Sequence, residues 1–461
     1  MSLSMDAAPE TGVTDSQRTQ TIESPPKRRR GLRAGPLRIR NFRLLMGGQL
    51  VSTVGDMFYA VALPWFVLSS GGTPRDLGIV LAAYGIPRAG SVLLGGMLSD
   101  KVQPRLMMLV ADVARALLVG GLAAIVLLDL HTLWILCAIA APLGLFEGIF
   151  LPASMAILPS ILDDDDLQAG NAINMATVQV ATLAGPGVGG VIVASVRSGV
   201  AFVIDAITFV VSALALAGMR GKRATASATI SSTSTAAAAA GAVVSPEAPA
   251  EAAEAAEAAP GDFSEQEPKT FWALLRVSRL LQVGLTVSIV ANLAFGALVE
   301  VALPDLAHGP LHAGATGFGL MISAFGAGAL TGSLIGATLG RLPRRGLVAL
   351  LLGLVQAVFV AIVPFTGGLT GATISIALWG IANAMSNVLF ITLLQQKMPR
   401  ALLGRIMGAF MFANFGLYPL SVAVGGLVVD RFGPAILFPI TGAMMFGAIL
   451  YGIFQRELRD L

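Results

Sequence analysis

Twelve long apolar stretches limit what this chain can fold into. A helix needs about 20 apolar residues to cross the hydrocarbon layer of a bilayer, and each stretch is long enough to do so. The predicted spans are 43–69, 77–99, 105–128, 132–158, 170–196, 199–219, 280–303, 315–340, 345–365, 370–396, 403–428 and 434–455. Only 12% of the residues are charged, and a transmembrane barrel would show short alternating segments instead. The sequence therefore predicts an all-α membrane protein.

Two polar segments divide the chain. Residues 1–42 contain the basic run PPKRRRGLR without an apolar core, which predicts a disordered cytosolic tail and not a signal peptide. Residues 220–279 are rich in Ala, Ser, Thr and Glu, which predicts a disordered cytosolic linker. The linker separates an N-terminal six-helix bundle, 43–219, from a C-terminal six-helix bundle with a short cytosolic tail, 280–461.

The end of the linker allows two interpretations. The stretch KTFWALLRVSRL at 269–280 combines apolar with basic residues. This pattern suits a helix that lies on the inner membrane surface. It is equally consistent with an early start of the seventh span.

Basic residues indicate the orientation. Of the 30 Lys and Arg residues, two fall inside spans and three on the side opposite the N-terminus, which leaves 25 on the N-terminal side. Such residues collect on the cytoplasmic side of membrane proteins. Both termini are therefore expected in the cytosol, with the chain in the inner (plasma) membrane. The basic tail could also touch anionic lipid, whereas no binding domain for nucleic acid accompanies it.

One loop pattern occurs twice. The segment GGMLSDKVQPR at 95–105 is echoed by GATLGRLPRR at 336–345, an offset of 240 residues. Repeated six-helix halves predict two bundles that move against each other around a central site.

Several stretches together resemble the major facilitator superfamily, and within it the drug:proton antiporter branch that includes macrolide-efflux and siderophore-export proteins. They are NFRLLMGGQLVSTVGDMFYAVALPW (41–65), GGMLSDKVQPR (95–105), ADVARALL (111–118), GPGVGG (185–190), IDAITFVVSALAL (204–216), NLAFGALVEVALP (292–304), GATGFGLMISAFGAGALTGSLIG (314–336) and LLQQKMPRALLGRIMG (393–408). The resemblance implies the major facilitator fold and alternating access. Gln103 departs from the loop motif of the family, which has a small or acidic residue there.

Three charged residues lie deep within predicted spans. Asp56, Glu147 and Arg88 come from the first, fourth and second spans, and a charge at bilayer depth costs about 2.5–3.5 kcal/mol on insertion scales. Burial favours the protonated carboxyl and a nearby arginine favours the carboxylate. This opposition predicts a proton-coupling site, with a structural buried ion pair as the alternative.

A second charged group is predicted to act as a gate. Asp112 and Arg115 are three residues apart and hence share one helical face. The resemblance implies that they form a network with Asp100 that holds the halves together on the cytosolic side. The predicted gating residues are Gly96, Asp100, Lys101, Arg105, Asp112 and Arg115. The alternative is an ordinary interfacial salt-bridge cluster.

The GPGVGG stretch resembles the antiporter motif of the fifth span. Pro186 bends a helix by removing a backbone hydrogen bond, and Gly185, Gly189 and Gly190 allow close helix approach. A bend that seals the cavity and supports antiport is one interpretation. Ordinary tight packing is the other.

Neutral polar and aromatic residues at mid-span are candidates for a substrate cavity. The candidates are Trp65, Gln179, Asn292, Phe295, Asn383, Asn387, Phe390 and Asn414. Buried amides often bond a neighbouring helix instead, and aromatic side chains at this depth often belong to the core.

The expected function is secondary-active export of a small amphiphilic molecule, a drug or secondary metabolite, by proton antiport. No GxxxxGK[ST], HExxH or GxSxG motif occurs, and the single cysteine builds no metal site. We therefore expect no enzyme activity, no catalytic residue, no metal and no cofactor other than the proton gradient, in a monomer. A proton-coupled importer on the same fold and a non-transporting membrane partner or sensor are the alternatives.

Overall fold

The computed structural model describes residues 35–99, 102–220, 271–338, 344–398 and 403–455. The basic tail up to residue 34, most of the linker, and the predicted gating residues Asp100 and Lys101 lie outside the described residues. The described part from Pro36 onward forms one compact unit.

The first half of the chain folds into six long helices. They are α1 (Arg40–Ser69), α2 (Pro74–Ser99), α3 (Pro104–Leu127), α4 (Leu133–Ile161), α5 (Asp164–Val196) and α6 (Ser198–Ala217). The helices begin where the sequence supplies start signals. Thr132 caps α4 by accepting a hydrogen bond from the Ile135 backbone N–H at 3.4 Å, and a proline occupies the first turn of α3.

The second half repeats this arrangement with more breaks. Its helices are α7 (Phe271–Val277), α8 (Arg279–Ala297), α9 (Leu303–His308), α10 (Gly314–Thr338), α11 (Arg345–Ile362), α12 (Leu369–Lys397), α13 (Leu403–Gly416), α14 (Tyr418–Phe432) and α15 (Leu437–Ile453). A π turn, Leu298–Ala302, joins α8 to α9, and together they make the seventh span, Arg279–His308. Helices α13 and α14 supply the eleventh span, Gly408–Phe432.

Within the described residues, twelve helical segments are long and apolar enough to cross a membrane. They pack as two six-helix bundles. Helices α1 to α6 contact mainly one another, as do α8 to α15. The prediction of an all-α, twelve-span, two-bundle membrane protein is confirmed.

Two segments expected to be disordered contain folded residues. Residues 36–42, assigned to the tail, form a 3-10 turn and the start of α1, with Phe42 fully buried. At the end of the linker, α7 is separated from α8 by Ser278, whose hydroxyl caps α8 by accepting from the Leu281 N–H at 3.3 Å. Residues 271–277 are therefore a separate short helix and not the first turns of the seventh span.

The bundle has two ends, which we name by their loops. The near face carries the start of α1 and the loops at 102–103, 162–163 and 344. The far face carries the loops at 70–73, 128–132, 309–313 and 366–368.

The two halves meet closely toward the far face, at two helix crossings. Helix α2 crosses α14, and a Cβ added to Gly426 would lie 3.0 Å from the Cα of Gly78. Helix α5 crosses α10, and a Cβ added to Gly190 would lie 3.1 Å from the Cα of Gly319. The second and eighth spans correspond in the repeat, as do the fifth and eleventh. The two crossings are therefore equivalent contacts, both made between backbones.

Candidate functional site

A cavity of about 260 Å³ gathers six charged side chains from within the spans. We name it the charged cavity. Its polar and charged lining residues are Asp56, Tyr59, Tyr84, Arg88, Arg115, Glu147, Asp205, Glu300 and Tyr418. All three predicted proton-coupling residues are among them, so the structure brings together side chains from α1, α2 and α4 that are distant in sequence.

Glu147 is held by two groups from α2. Arg88 Nη2 lies 2.8 Å from Glu147 Oε1, and the Tyr84 hydroxyl donates a hydrogen bond to Glu147 Oε2. The Arg88 guanidinium also lies 5.1 Å from the ring centroid of Phe415, which belongs to the second half. Arg88 therefore connects an acid of the first half to an aromatic face of the second.

Arg115 lies between two carboxylates and two aromatic rings. It bonds Asp112 on its own helix, and its Nη1 is 3.9 Å from Asp56 Oδ1. The rings of Phe150 and Phe209 each have their centroid 4.3 Å from the guanidinium carbon. The contacts with two rings compensate for part of the lost hydration of this buried cation. Arg115 was predicted in the gate, but it also belongs to the charged cavity.

Asp112 is fully buried and satisfied. Besides the bond from Arg115, it accepts a hydrogen bond from the Ser212 hydroxyl of α6 at 2.6 Å. In the described part of the chain, this predicted gating pair thus bonds within the first half. Its role as a gate between the halves stays a prediction.

Sequence reasoning did not select Asp205, which the structure places in the charged cavity. Its Oδ1 accepts a hydrogen bond from the Thr208 hydroxyl at 3.3 Å. Its buried Oδ2 has no hydrogen-bond partner among the described residues. An acid in the apolar stretch 199–219 is the same signal that identified Asp56, and it would have identified Asp205 as well.

The second half contributes Glu300 and Tyr418 to the charged cavity. Glu300 lies in the π turn between α8 and α9, a local feature that often marks functional sites. Ser421 of α14 stabilises the helix just before this turn, because its hydroxyl accepts from Ala297 N–H at 2.9 Å and donates to Leu293 C=O at 2.6 Å. The charged cavity is therefore lined by both halves.

The other described gating residues lie apart from this cluster. Arg105 donates from Nε to Leu216 C=O and from Nη2 to Ala217 C=O, both at 2.8 Å. It thus caps the C-terminal end of α6, where a cation is favourable. Around Gly96 the space is open, since an added Cβ would meet no atom within 4 Å.

The GPGVGG segment lies where α5 packs against both halves. An added Cβ at Gly185 would lie 2.7 Å from Met57 Cγ, and one at Gly189 would lie 3.2 Å from Phe58 Cα, both on α1. On the other side, the Gly187 N–H donates to the Ser323 hydroxyl of α10 at 2.8 Å. The segment, with Pro186 at its centre, therefore connects α1 to the crossing with α10.

A second cavity, of about 330 Å³, lies within the second half. We name it the amide cavity. Six of the eight predicted substrate-cavity residues line it: Asn292, Phe295, Asn383, Asn387, Phe390 and Asn414. Gln356 adds a further amide that sequence reasoning did not select.

The remaining two candidates, Trp65 and Gln179, line neither cavity. The Trp65 ring packs edge-on against the His308 ring, 5.2 Å between centroids, and so connects α1 to α9.

The charged cavity can exchange protons and the amide cavity can hold a ligand. A carboxylate that lies close to an arginine can be neutralised either by a proton or by the guanidinium group. Among the described residues, no group of His, Cys, Asp and Glu has the geometry to hold a metal ion.

Comparisons with known proteins agree with the fold. A sequence profile described as Major Facilitator Superfamily matches residues 45–422. The chain is 24% identical to the enterobactin exporter EntS of Citrobacter koseri over 421 residues, which cover 90% of this chain and 91% of that protein. It is 28% identical to the multidrug efflux pump Tap of Mycobacterium tuberculosis over 189 residues, 38% of this chain and 43% of the pump.

Comparisons with solved structures also agree with the fold. The nucleoside transporter NupG superposes with a TM-score of 0.60 at 12% identity, covering 90% of this chain and 98% of the transporter. A bacterial homologue of the iron transporter ferroportin, in an inward-facing state, superposes with a TM-score of 0.61 at 13% identity, covering 91% and 99%.

Proposed function

Because this chain belongs to the Major Facilitator Superfamily, we propose that it is a secondary-active exporter of small amphiphilic molecules, driven by proton antiport. The observation that carries the proposal is the charged cavity. It holds Asp56 and Glu147, each near an arginine, at the interface of two bundles. Relatives named as exporters support the direction of transport.

In the proposed cycle, a proton and Arg115 compete for the Asp56 carboxylate. With the cavity open to the more acidic side, a proton neutralises Asp56, so that Arg115 is left with Asp112. With the cavity open to the other side, the proton leaves and Arg115 again neutralises Asp56. Since the cavity is lined by both halves, the charge on these acids can bias the position of one bundle relative to the other.

The proposal places the near face in the cytosol, in the inner (plasma) membrane, with both termini on that side. The 25 basic residues on the N-terminal side support this orientation. The partners are a small-molecule substrate, protons and the lipid bilayer.

Inverted membrane vesicles test the proposal. A compound selected by a susceptibility screen should accumulate in the acidic lumen, and its addition should release lumenal protons, read with a pH-sensitive dye. Asp56→Asn should abolish both effects. Asp129→Asn is the matched control, because Asp129 is exposed in a far-face loop at a φ of 54°, which Asn tolerates.

The same vesicles separate the alternatives. Accumulation without a proton gradient, or full accumulation by Asp56→Asn, contradicts proton antiport. Movement of compound and protons together out of the lumen identifies a proton-coupled importer. A non-transporting protein gives no accumulation.

A further inference from the structure

The amide cavity differs from the charged cavity in the charge of its lining residues. Five helices line it: α8, α11, α12, α13 and α15. Among the described residues that line it, none is charged. Its polar side chains are amides and serines, whereas the carboxylates and guanidinium groups line the charged cavity.

Four of the five amides in this cavity donate a hydrogen bond through their side-chain nitrogen. Asn387 Nδ2 donates to Asn383 Oδ1 at 3.3 Å, and Asn383 Nδ2 donates to Gln356 Oε1 at 3.1 Å. Asn292 and Asn414 donate to backbone carbonyls one turn earlier on their helices, both at 2.9 Å. These bonds fix the orientation of the amides.

The fixed orientation leaves hydrogen-bond acceptors for a ligand. The carbonyl oxygens of Asn292, Asn387 and Asn414 accept no hydrogen bond from any other described residue. An acceptor in a membrane-embedded cavity is satisfied by water or by a donor on a bound molecule. These three acceptors therefore favour ligands that carry hydroxyl or N–H groups.

Three phenylalanines, Phe295, Phe390 and Phe410, lie among the mainly aliphatic apolar residues of the lining. The rings of Phe390 and Phe410 meet edge to face with centroids 5.7 Å apart. Phe295 packs against Trp379 with centroids 5.1 Å apart. Edge and face contacts of this kind suit a planar ring.

A charged ligand would meet no opposite charge in this cavity, and an ion that gives up water without gaining a counter-charge is costly. We propose that the amide cavity binds an uncharged amphiphile with a planar ring and hydrogen-bond donors, and that this is the substrate class of the exporter. The statement that this ligand is the transported substrate rests on the proposed function. The binding site itself does not depend on it.

Three probes that share one ring system test the charge preference. They are naphthalen-2-ylmethanol, which is neutral, the 2-naphthylmethylammonium cation and the 2-naphthoate anion. Binding to the full chain in lipid nanodiscs is measured by equilibrium dialysis, with empty nanodiscs as the blank. The alcohol should bind with a Kd about 10-fold or more below that of either ion. Equal or tighter binding of an ion, or no binding of the alcohol above the blank, overturns the proposal.

A charge-introducing variant locates the site. Asn387→Asp, with Asn414→Asp as a second variant at the same cavity, adds a carboxylate at nearly constant volume. Either change should shift the preference toward the ammonium ion by about 10-fold or more. Asn171→Asp is the matched control, because Asn171 is exposed on α5 and lines neither cavity, and it should leave all three Kd values unchanged. An unchanged preference in both cavity variants, checked as monodisperse, overturns the location.

The binding test of the amide cavity and the transport test of the proposed function can fail independently. Binding in nanodiscs involves no proton gradient, so the order of Kd values is measured independently of proton-driven accumulation. A wrong order with intact proton-driven accumulation refutes only the substrate class. A correct order without proton-driven accumulation refutes only the antiport.

Discussion

Two buried aspartates in the first half differ in their hydrogen-bond and ion-pair partners. Asp112 bonds Arg115 and Ser212. Asp205 bonds only Thr208, and its Oδ2 has no partner in the described structure. Both are buried, so they differ in pairing and not in exposure.

The same substitution should therefore have different consequences for stability at the two positions. Asp112→Asn leaves Arg115 without its closest counter-charge and should destabilise the protein by about 3 kcal/mol. Asp205→Asn removes no ion pair and should leave stability unchanged or raise it. Thermal unfolding of both variants in detergent is the measurement. A Tm that falls as far for Asp205→Asn as for Asp112→Asn would show that Asp205 has a cationic partner.

At this scale, the sequence predicted some of the buried charges but not Asp205, and it did not predict the approach of Arg115 to Asp56. Asp56, Glu147 and Arg88 are recognisable because a charge interrupts an apolar run. Arg115 was assigned to the gate because Asp112 lies near it in sequence. Its approach to Asp56 depends on how α3 and α1 both pack against α6. Such a contact between helices leaves no trace in the spacing of residues.

At the scale of helices, the closest backbone contacts between the two halves are made at glycines. The crossing of α5 with α10 brings Gly190 so close that an added Cβ would lie 2.6 Å from the backbone oxygen of Ala315. Since backbone atoms cannot rotate away, even one methyl group requires the helices to separate.

Gly190→Ala should therefore open the far face. In a chain with Cys137→Ala, spin labels at Leu130→Cys and Phe365→Cys report the distance between exposed far-face positions of the two halves. We expect a longer mean distance in Gly190→Ala than in the parent. Gly121→Ala is the control, because a Cβ there meets no atom within 4 Å. An unchanged distance in Gly190→Ala would mean that the crossing yields without separating the halves.

Hydropathy predicted the existence of these helices but not their breaks. The seventh span was expected to end at residue 303, whereas it continues through a π turn to His308. Ser421 of another helix bonds the backbone just before the turn, and hydropathy does not report such a contact. Glu300, which the turn carries into the charged cavity, was consequently not selected.

For the whole molecule, charged side chains and uncharged amides line two separate cavities. The acids and arginines line one cavity, and amides line the other. If the substrate is uncharged, each exchanged proton carries a net charge across the membrane. A potential of 100 mV then contributes about 2.3 kcal/mol per proton.

Transport should accordingly respond to voltage alone. In proteoliposomes without a pH gradient, a potassium diffusion potential set with valinomycin should drive accumulation of the screened compound. Asp56→Asn should remove this response. Accumulation that ignores the potential but follows a pH gradient would indicate electroneutral exchange, and hence a charged substrate.

The glycine crossings have a consequence for how such a chain can change over generations. No residue is smaller than glycine, so every substitution at Gly78, Gly190, Gly319 or Gly426 adds volume to a contact between backbones. Random change at these positions can shift the conformational population only toward opening of the far face. A lineage that needs the far face closed longer must obtain that from positions elsewhere in the bundle.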